Sequence, residues 1–233
     1  MAYSPTPLVR ADAQLRQRSF LGQVYAWMTA GLLITSAVAA YAASAPIVLN
    51  LIYGNPVTIW LLFIAQIGLV IGLSAAINRL TPLTAIGLFI AYAALNGLTL
   101  SAIFLVYTYT SIAQTFLATA ATFGVMSLYG ATTKRDLSTA GNLLVMALIG
   151  LIIGSVVNLF WANSVLYWLI TYLGIAVFIG LTAWDTQEIK RMSQQATDDT
   201  TAQRVAIIGA LKLYLDFINL FVLLLRVFGS RRE

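Results

Sequence analysis

The last long apolar stretch of the chain, from Val205 to Phe228, reads VAIIGALKLYLDFINLFVLLLRVF. Its 24 residues rise about 1.5 Å each in an α-helix and extend over about 36 Å, which is enough to cross the hydrocarbon core of a bilayer. Lys212, Asp216 and Arg226 are the charged residues in this stretch. The stretch therefore predicts a membrane-spanning helix with ionisable groups inside it.

The rest of the chain has the same apolar character. Of 233 residues, 60% are hydrophobic and only 9% are charged, and the mean hydropathy is +0.88, whereas about a quarter of a soluble domain is charged. Six further apolar segments of about spanning length precede the last one, at 21–43, 57–77, 83–106, 112–131, 141–161 and 165–184. The sequence predicts an all-α integral membrane protein with seven transmembrane helices and excludes a soluble domain. The first segment is longer than the apolar region of a signal peptide, so we expect it to be retained.

The charges between the apolar segments predict how the chain lies in the membrane. Links carrying Arg79, Lys134 with Arg135, and Lys190 through Arg204 alternate with links that carry no charge. The positive-inside rule places the charged links and the N-terminus in the cytoplasm of a multi-pass protein of the cell (inner) membrane. A full last crossing puts the final arginines outside and a re-entrant segment keeps them inside; the length of the segment favours a full crossing.

The expected organisation is a single transmembrane domain with short tails. Residues 1–20 form a polar cytoplasmic tail, residues 21–229 form the transmembrane domain, and residues 230–233 form a short basic tail. The first tail is polar and carries three arginines by residue 18. The sequence therefore predicts that the lipid bilayer is the main partner of the protein.

Two residue types are absent from the chain, and their absence removes several function classes. There is no cysteine and no histidine, which excludes disulfides and thiol nucleophiles and removes the usual transition-metal ligand and general base. No phosphate-binding glycine loop is present, and the cations lie at segment ends rather than on one basic face. We expect no enzymatic activity, no tightly bound cofactor and no nucleic-acid partner.

Two carboxylates lie in or at the end of apolar segments, Asp185 and Asp216. A carboxylate in hydrocarbon costs several kcal/mol unless it is paired, protonated or facing water, so such groups are functional candidates. Lys212 is one turn before Asp216 and Asn219 is one turn after it, which gives this helix a polar face. Two structural alternatives remain open: a Lys212–Asp216 ion pair and an interfacial role for Asp185. A further alternative concerns function, because paired intramembrane aspartates also serve proteolysis. The flanking motifs expected of such proteases are not found in this sequence.

Several motifs resemble those of the Bax inhibitor motif family of membrane proteins, in particular its bacterial members. The most specific is LYLDFINLF at 213–221, followed by Leu225-Arg226; the others are TAWDTQ at 182–187, TKRDLS at 133–138, NGLTLS at 96–101 and WMTAGL at 27–32. The resemblance covers nearly the whole chain in order. It implies a seven-helix fold with six helices around a central last helix, and a pH-sensitive calcium leak activity.

The resemblance also implies roles for individual residues. Asp185 and Asp216 match the family's aspartate sensor for protons and calcium, and Arg79 matches by position the arginine that latches onto this pair. Two carboxylates supply at most four of the six to eight oxygens that calcium takes, so the site would be weak, as permeation requires. Lys212 would compete with calcium, and Asn219 would extend the polar face. The competing hypothesis is a regulatory protein that binds a membrane-bound AAA protease through its N-terminal tail.

Overall fold

The computed structural model describes residues 7–195 and 198–232. The described residues form helices and no strand. The helices are α1 (Pro7–Ser44), α2 (Pro46–Tyr53), α3 (Pro56–Ala76), α4 (Pro82–Val106), α5 (Tyr109–Thr132), α6 (Ser138–Trp161), α7 (Ser164–Gln195) and α8 (Asp199–Phe228). All except α2 contain a stretch long and apolar enough to span a membrane. The predicted class and the seven spanning helices are thus confirmed. Of the predicted tails, residues 1–6 and 233 lie outside the described residues.

Prolines and short polar side chains determine where several helices begin. Pro46, Pro56 and Pro82 begin α2, α3 and α4, because a missing N–H costs nothing in the first turn of a helix. Asn55 caps α3 by accepting a hydrogen bond from the Val57 N–H at 2.9 Å. This cap satisfies a free N–H group of the first turn, so α3 begins sharply after a short link.

Helix α8 forms the centre of the bundle. Its buried residues run from Ala206 to Leu225, whereas Gly141 is the buried residue of α6. Helices α1, α4, α5 and α7 pack directly on α8, while α3 packs on α4 and α6 packs on α7. The predicted arrangement around a central last helix is therefore observed, with the six other spanning helices at two distances from it.

A buried polar network fixes α8 against α1 and α4. The Tyr214 hydroxyl is completely buried and hydrogen-bonds Thr35 Oγ1 at 2.6 Å. It also accepts a hydrogen bond from Asn96 Nδ2 at 2.9 Å. Phe89 packs edge-on against the Tyr214 ring, with centroids 5.8 Å apart. Buried polar groups without water need such partners, so these contacts hold α8 in one rotation and one depth.

The C-terminal segment shows that α8 crosses the whole bundle. The Thr108 N–H donates to the Ser230 carbonyl at 3.1 Å, and the Arg232 N–H donates to the Val106 carbonyl at 2.9 Å. The end of α8 thus lies beside the α4–α5 link. At the start of α8, Arg204 donates to the Asn78 carbonyl in the α3–α4 link at 3.1 Å. Because these two links lie at opposite ends of α4, the last segment crosses fully and is not re-entrant.

Candidate functional site

The antiparallel packing of α7 and α8 brings the two intramembrane aspartates to similar depths. Gly209 packs against Ile189 and Gly174 packs against Leu223, and this register sets Asp185 beside the turn that contains Lys212 and Asp216. Both aspartates are buried: 7% of the surface of Asp185 and 4% of the surface of Asp216 are exposed. Both line the same cavity.

Asp216 has an unsatisfied polar atom inside the bundle. Its Oδ2 is buried and has no hydrogen-bond partner among the described residues. The Asp216 carboxyl group is close enough to interact with that of Asp185. An unpaired buried carboxyl oxygen is costly, so the site has unused capacity to bind a proton, a water molecule or a cation.

Lys212 pairs across the helix interface, not with Asp216. Its ammonium nitrogen lies 3.4 Å from Asp185 Oδ1 and also forms an ion pair with Glu188. The ammonium group is 5.6 Å from the centroid of the Trp184 ring. The Lys212–Asp216 pair considered from helical spacing is therefore not formed, because the two carboxylates of α7 outcompete the neighbour on α8.

Glu188 is the member of this cluster that sequence reasoning missed. It follows Asp185 by three residues, and residues three apart share one face of a helix. That spacing is the signal that would have found it. The resulting cluster of Asp185, Glu188 and Lys212 lies next to Asp216.

Of the other two predicted site residues, Arg79 lies apart from this cluster and Asn219 lines the same cavity. Arg79 is exposed in the α3–α4 link, and in the part of the chain that the structure describes it forms no ion pair with Asp185 or Asp216. The expected latch is therefore not formed in this conformation. Asn219 is exposed, donates a hydrogen bond to the Leu215 carbonyl at 2.8 Å, and lines the cavity of the aspartates.

The cavity that contains the aspartates lies between α6, α7 and α8. Its volume is about 650 Å³, and most of its lining is apolar. A second cavity of about 480 Å³ lies at the α6–α7 link and shares Ser155, Ile170 and Arg226 with the first. The Arg226 guanidinium is 5.3 Å from the centroid of the Tyr167 ring. Together the cavities extend from the C-terminal end of the bundle to the aspartates.

The TKRDLS motif holds the opposite end of the bundle together. Gln187 donates to the Arg135 carbonyl at 2.8 Å and accepts from the Leu137 N–H at 2.9 Å. Arg191 lies 2.7 Å from Asp136, and its hydrogen bond is the main reason that the pKa of Asp136 is well below its usual range. These contacts tie α7 to the α5–α6 link, so this motif positions the helix that carries Asp185.

The described residues contain no group of three or more Asp, Glu, His or Cys side chains arranged to hold a metal ion. A calcium ion at the aspartates would therefore need water or backbone carbonyls for most of its ligands. Such a site would bind weakly.

Comparisons with known proteins agree with this architecture. The sequence profile of the family described as "Inhibitor of apoptosis-promoting Bax1" matches residues 17–233. The inner membrane protein YbhL of Escherichia coli is 52% identical over 229 residues, which cover 96% of this chain and 98% of YbhL. Proteins of Borreliella burgdorferi and Rickettsia prowazekii are 47% and 43% identical, over 94% and 93% of this chain and 95% and 91% of their own lengths. The chain is therefore a multi-pass membrane protein that belongs to the Bax inhibitor family.

Proposed function

We propose that this protein is a pH-sensitive calcium leak channel in which Asp185 and Asp216 form the sensor for protons and calcium. The observation that carries the proposal is the buried Asp216 Oδ2, which has no hydrogen-bond partner in the described part of the chain and lies beside Asp185 in a cavity that leads toward the C-terminal end. Calcium prefers oxygen ligands, and permeation needs sites that release the ion. Two carboxylates and water provide such a site.

In this proposal, the positive charge of Lys212 balances negative charge on the carboxylates of the site at rest. Its pairs with Asp185 and Glu188 place a tethered cation where a permeant cation would otherwise bind. Neighbouring carboxyl groups repel each other and share protons as a unit. Protonation of Asp185 weakens its attraction for Lys212 and lets the ammonium group leave. We assign the conformation described here to the closed state.

Arg79 is proposed as a second latch that forms in another conformation. Its exposed position in the α3–α4 link is adjacent to Asn78, which contacts Arg204 of α8. Movement of this link toward the aspartates would add an arginine to the cluster. Arg79→Gln should then alter the pH at which the channel opens, and an unchanged pH response would remove Arg79 from the mechanism.

We further propose that the N-terminus is cytoplasmic and that the protein lies in the inner membrane. Support comes from the cations of the links that contain Arg79, Lys134 and Arg135, at one end of the bundle. The chain has no cysteine, so single cysteines at Ser230 and Thr132 report each end without background. An impermeant maleimide added outside spheroplasts should label Ser230→Cys and not Thr132→Cys. The reverse pattern would invert the topology.

The test of the sensor is current across a planar bilayer. We expect a pH-dependent calcium current for the wild type and no pH dependence for the double variant Asp185→Asn, Asp216→Asn. A wild-type pH response in the double variant would contradict the proposal. Absence of current in both would instead favour a regulatory protein that binds a membrane-bound AAA protease, for which deletion of residues 1–18 should abolish binding.

A further inference from the structure

Another cavity, separate from the two described above, opens on the side of α8 that faces away from the aspartate cavity. Its volume is about 530 Å³, and its lining is almost entirely apolar. Helices α1, α4 and α5 form its walls, and Ile218 and Phe221 of α8 form its floor. Helices α1 and α5 are joined near the other end of the bundle by the Tyr25–Ser127 hydrogen bond. Nearer the end where Tyr109 lies, the cavity forms a groove with residues of α1 on one side and residues of α5 on the other.

The groove runs along the axis of α5. On α5 it extends from Tyr109, the first residue of the helix, to Leu117, a rise of about 12 Å along the helix. Leu33 and Leu117 are both exposed at its edge, by 66% and 68%. This is the direction and depth that an acyl chain takes in one leaflet.

Positive charge lies at the mouth of this groove. The Arg232 guanidinium is 4.5 Å from the centroid of the Tyr109 ring, and Tyr109 lines the groove. Arg231 precedes it and is also exposed. The acids of the described residues belong to segments in the middle of the bundle or at its other end: Asp12, Asp136, Asp185, Glu188, Asp198, Asp199 and Asp216. In the sequence, Glu233 is the acid that follows these arginines, and it lies outside the described residues.

We propose that this groove binds an anionic phospholipid, with one acyl chain between α1 and α5 and the phosphate on Arg232. A lipid chain in the bilayer is already in apolar surroundings, so the groove holds it by van der Waals packing, and an arginine near the surface adds attraction for an anionic headgroup. A soluble anion would use the arginines and leave the apolar groove unfilled. A zwitterionic lipid carries its own cation, which Arg232 repels. This site is independent of the proposed calcium pathway.

The test measures lipid binding to the purified full chain by native mass spectrometry, with dioleoyl phosphatidylglycerol and dioleoyl phosphatidylcholine as probes. We expect preferential binding of phosphatidylglycerol. Arg232→Gln should weaken it about fivefold, the effect of one arginine near an anionic headgroup. Ala113→Phe should weaken the binding of both lipids, because Ala113 is an exposed residue of the groove and a larger side chain fills it. Arg135→Gln, at the opposite end, is the matched control and should bind like the wild type.

The proposal would be overturned by equal binding of the two lipids, by wild-type affinity in Arg232→Gln or in Ala113→Phe, or by equal losses in Arg232→Gln and Arg135→Gln. The last comparison in this experiment uses glycerol phosphate, which has the negative charge of the headgroup and no acyl chain. We expect it not to displace phosphatidylglycerol at equal concentration. Displacement would show that the arginines bind a phosphate without the groove and would also overturn the proposal.

Discussion

The ammonium nitrogen of Lys212 lies 3.4 Å from the Asp185 carboxylate, across the interface of α7 and α8. Asp216 is one turn away on the same helix as Lys212, yet the ammonium group turns toward α7, where Glu188 supplies a second carboxylate. One of the two buried aspartates therefore has a cation beside it, and the other has an oxygen with no hydrogen-bond partner in residues 7–195 and 198–232. Because of this asymmetry, substitutions can test the two aspartates separately.

Replacement of Lys212 by methionine should increase calcium entry. The variant removes the tethered cation that competes with calcium at Asp185. A partly exposed ion pair contributes about 1 kcal/mol, which corresponds to roughly a fivefold change in rate or affinity. Calcium uptake by proteoliposomes is the measurement.

Two control variants accompany Lys212→Met. Lys190→Met removes the other lysine of this region, which donates to the Ala131 carbonyl, and it should leave calcium uptake unchanged. Lys212→Arg keeps the positive charge and should behave like the wild type. An unchanged or lower uptake in Lys212→Met, with the protein still folded, would show that Lys212 does not compete with calcium.

The pH response should survive the loss of Asp136. The Arg191 hydrogen bond holds the pKa of Asp136 well below its usual range, so this carboxylate stays ionised between pH 6 and 8. The stability that it contributes is fully present above the ordinary carboxyl pKa of about 3.9 and is lost only as the pH falls below that value. Asp136→Asn should therefore keep the wild-type dependence of calcium uptake on pH from 6 to 8. If calcium uptake by this variant did not depend on pH, the sensor would lie in the α5–α6 link.

Removal of the Tyr214 hydroxyl should destabilise the bundle. Tyr214→Phe leaves the buried Asn96 amide without its acceptor and removes one of the two hydrogen bonds of Thr35, whose hydroxyl still donates to the Ala93 carbonyl. Loss of a buried hydrogen-bond partner costs about 1–3 kcal/mol, so the thermal unfolding temperature in detergent should fall. Tyr172→Phe is the matched control, because Tyr172 is 56% exposed on the outer surface. Equal unfolding temperatures for the two variants would contradict this role of the network.

Gly130 should not tolerate alanine, although Gly124 on the same helix should. A Cβ at Gly130 would collide with the Ala183 carbonyl on α7, two residues before Asp185, whereas a Cβ at Gly124 would meet nothing within 4 Å. Gly130→Ala should therefore separate α5 from α7 and lower the unfolding temperature. Gly124→Ala should be neutral or slightly stabilising, by up to about 1 kcal/mol. Similar unfolding temperatures would show that the close approach of these helices is dispensable.

The spanning helices could be predicted from the sequence because each is a continuous apolar stretch long enough for the bilayer. Helix α2 was missed because it has only eight residues, too few for a crossing. It is held in place by tertiary contacts: the Tyr53 hydroxyl donates to the Thr99 carbonyl at 3.0 Å. Such a contact between separate helices leaves no periodic pattern in the chain.

The site was predicted in part. Asp185 and Asp216 stood out because carboxylates are rare in apolar segments, and the structure brings them to one cavity. The partner of Lys212 was not predictable from spacing along α8, since the antiparallel register of α7 and α8 determines it. The same register resolves the relative depth of the two aspartates, which distances measured along single helices left open. The latch by Arg79 stays a prediction that depends on another conformation.

Calcium influx into proteoliposomes that contain the purified protein, measured from pH 6 to 8 for the wild type and for Asp216→Asn, tests the central proposal most directly. The Asp136→Asn variant is the control for loss of a carboxylate outside the cavity. We predict a pH-dependent influx in the wild type and in Asp136→Asn, and an altered, pH-independent influx in Asp216→Asn. A wild-type influx profile in Asp216→Asn, or no influx in any of the three proteins, would contradict a calcium leak governed by the aspartate pair.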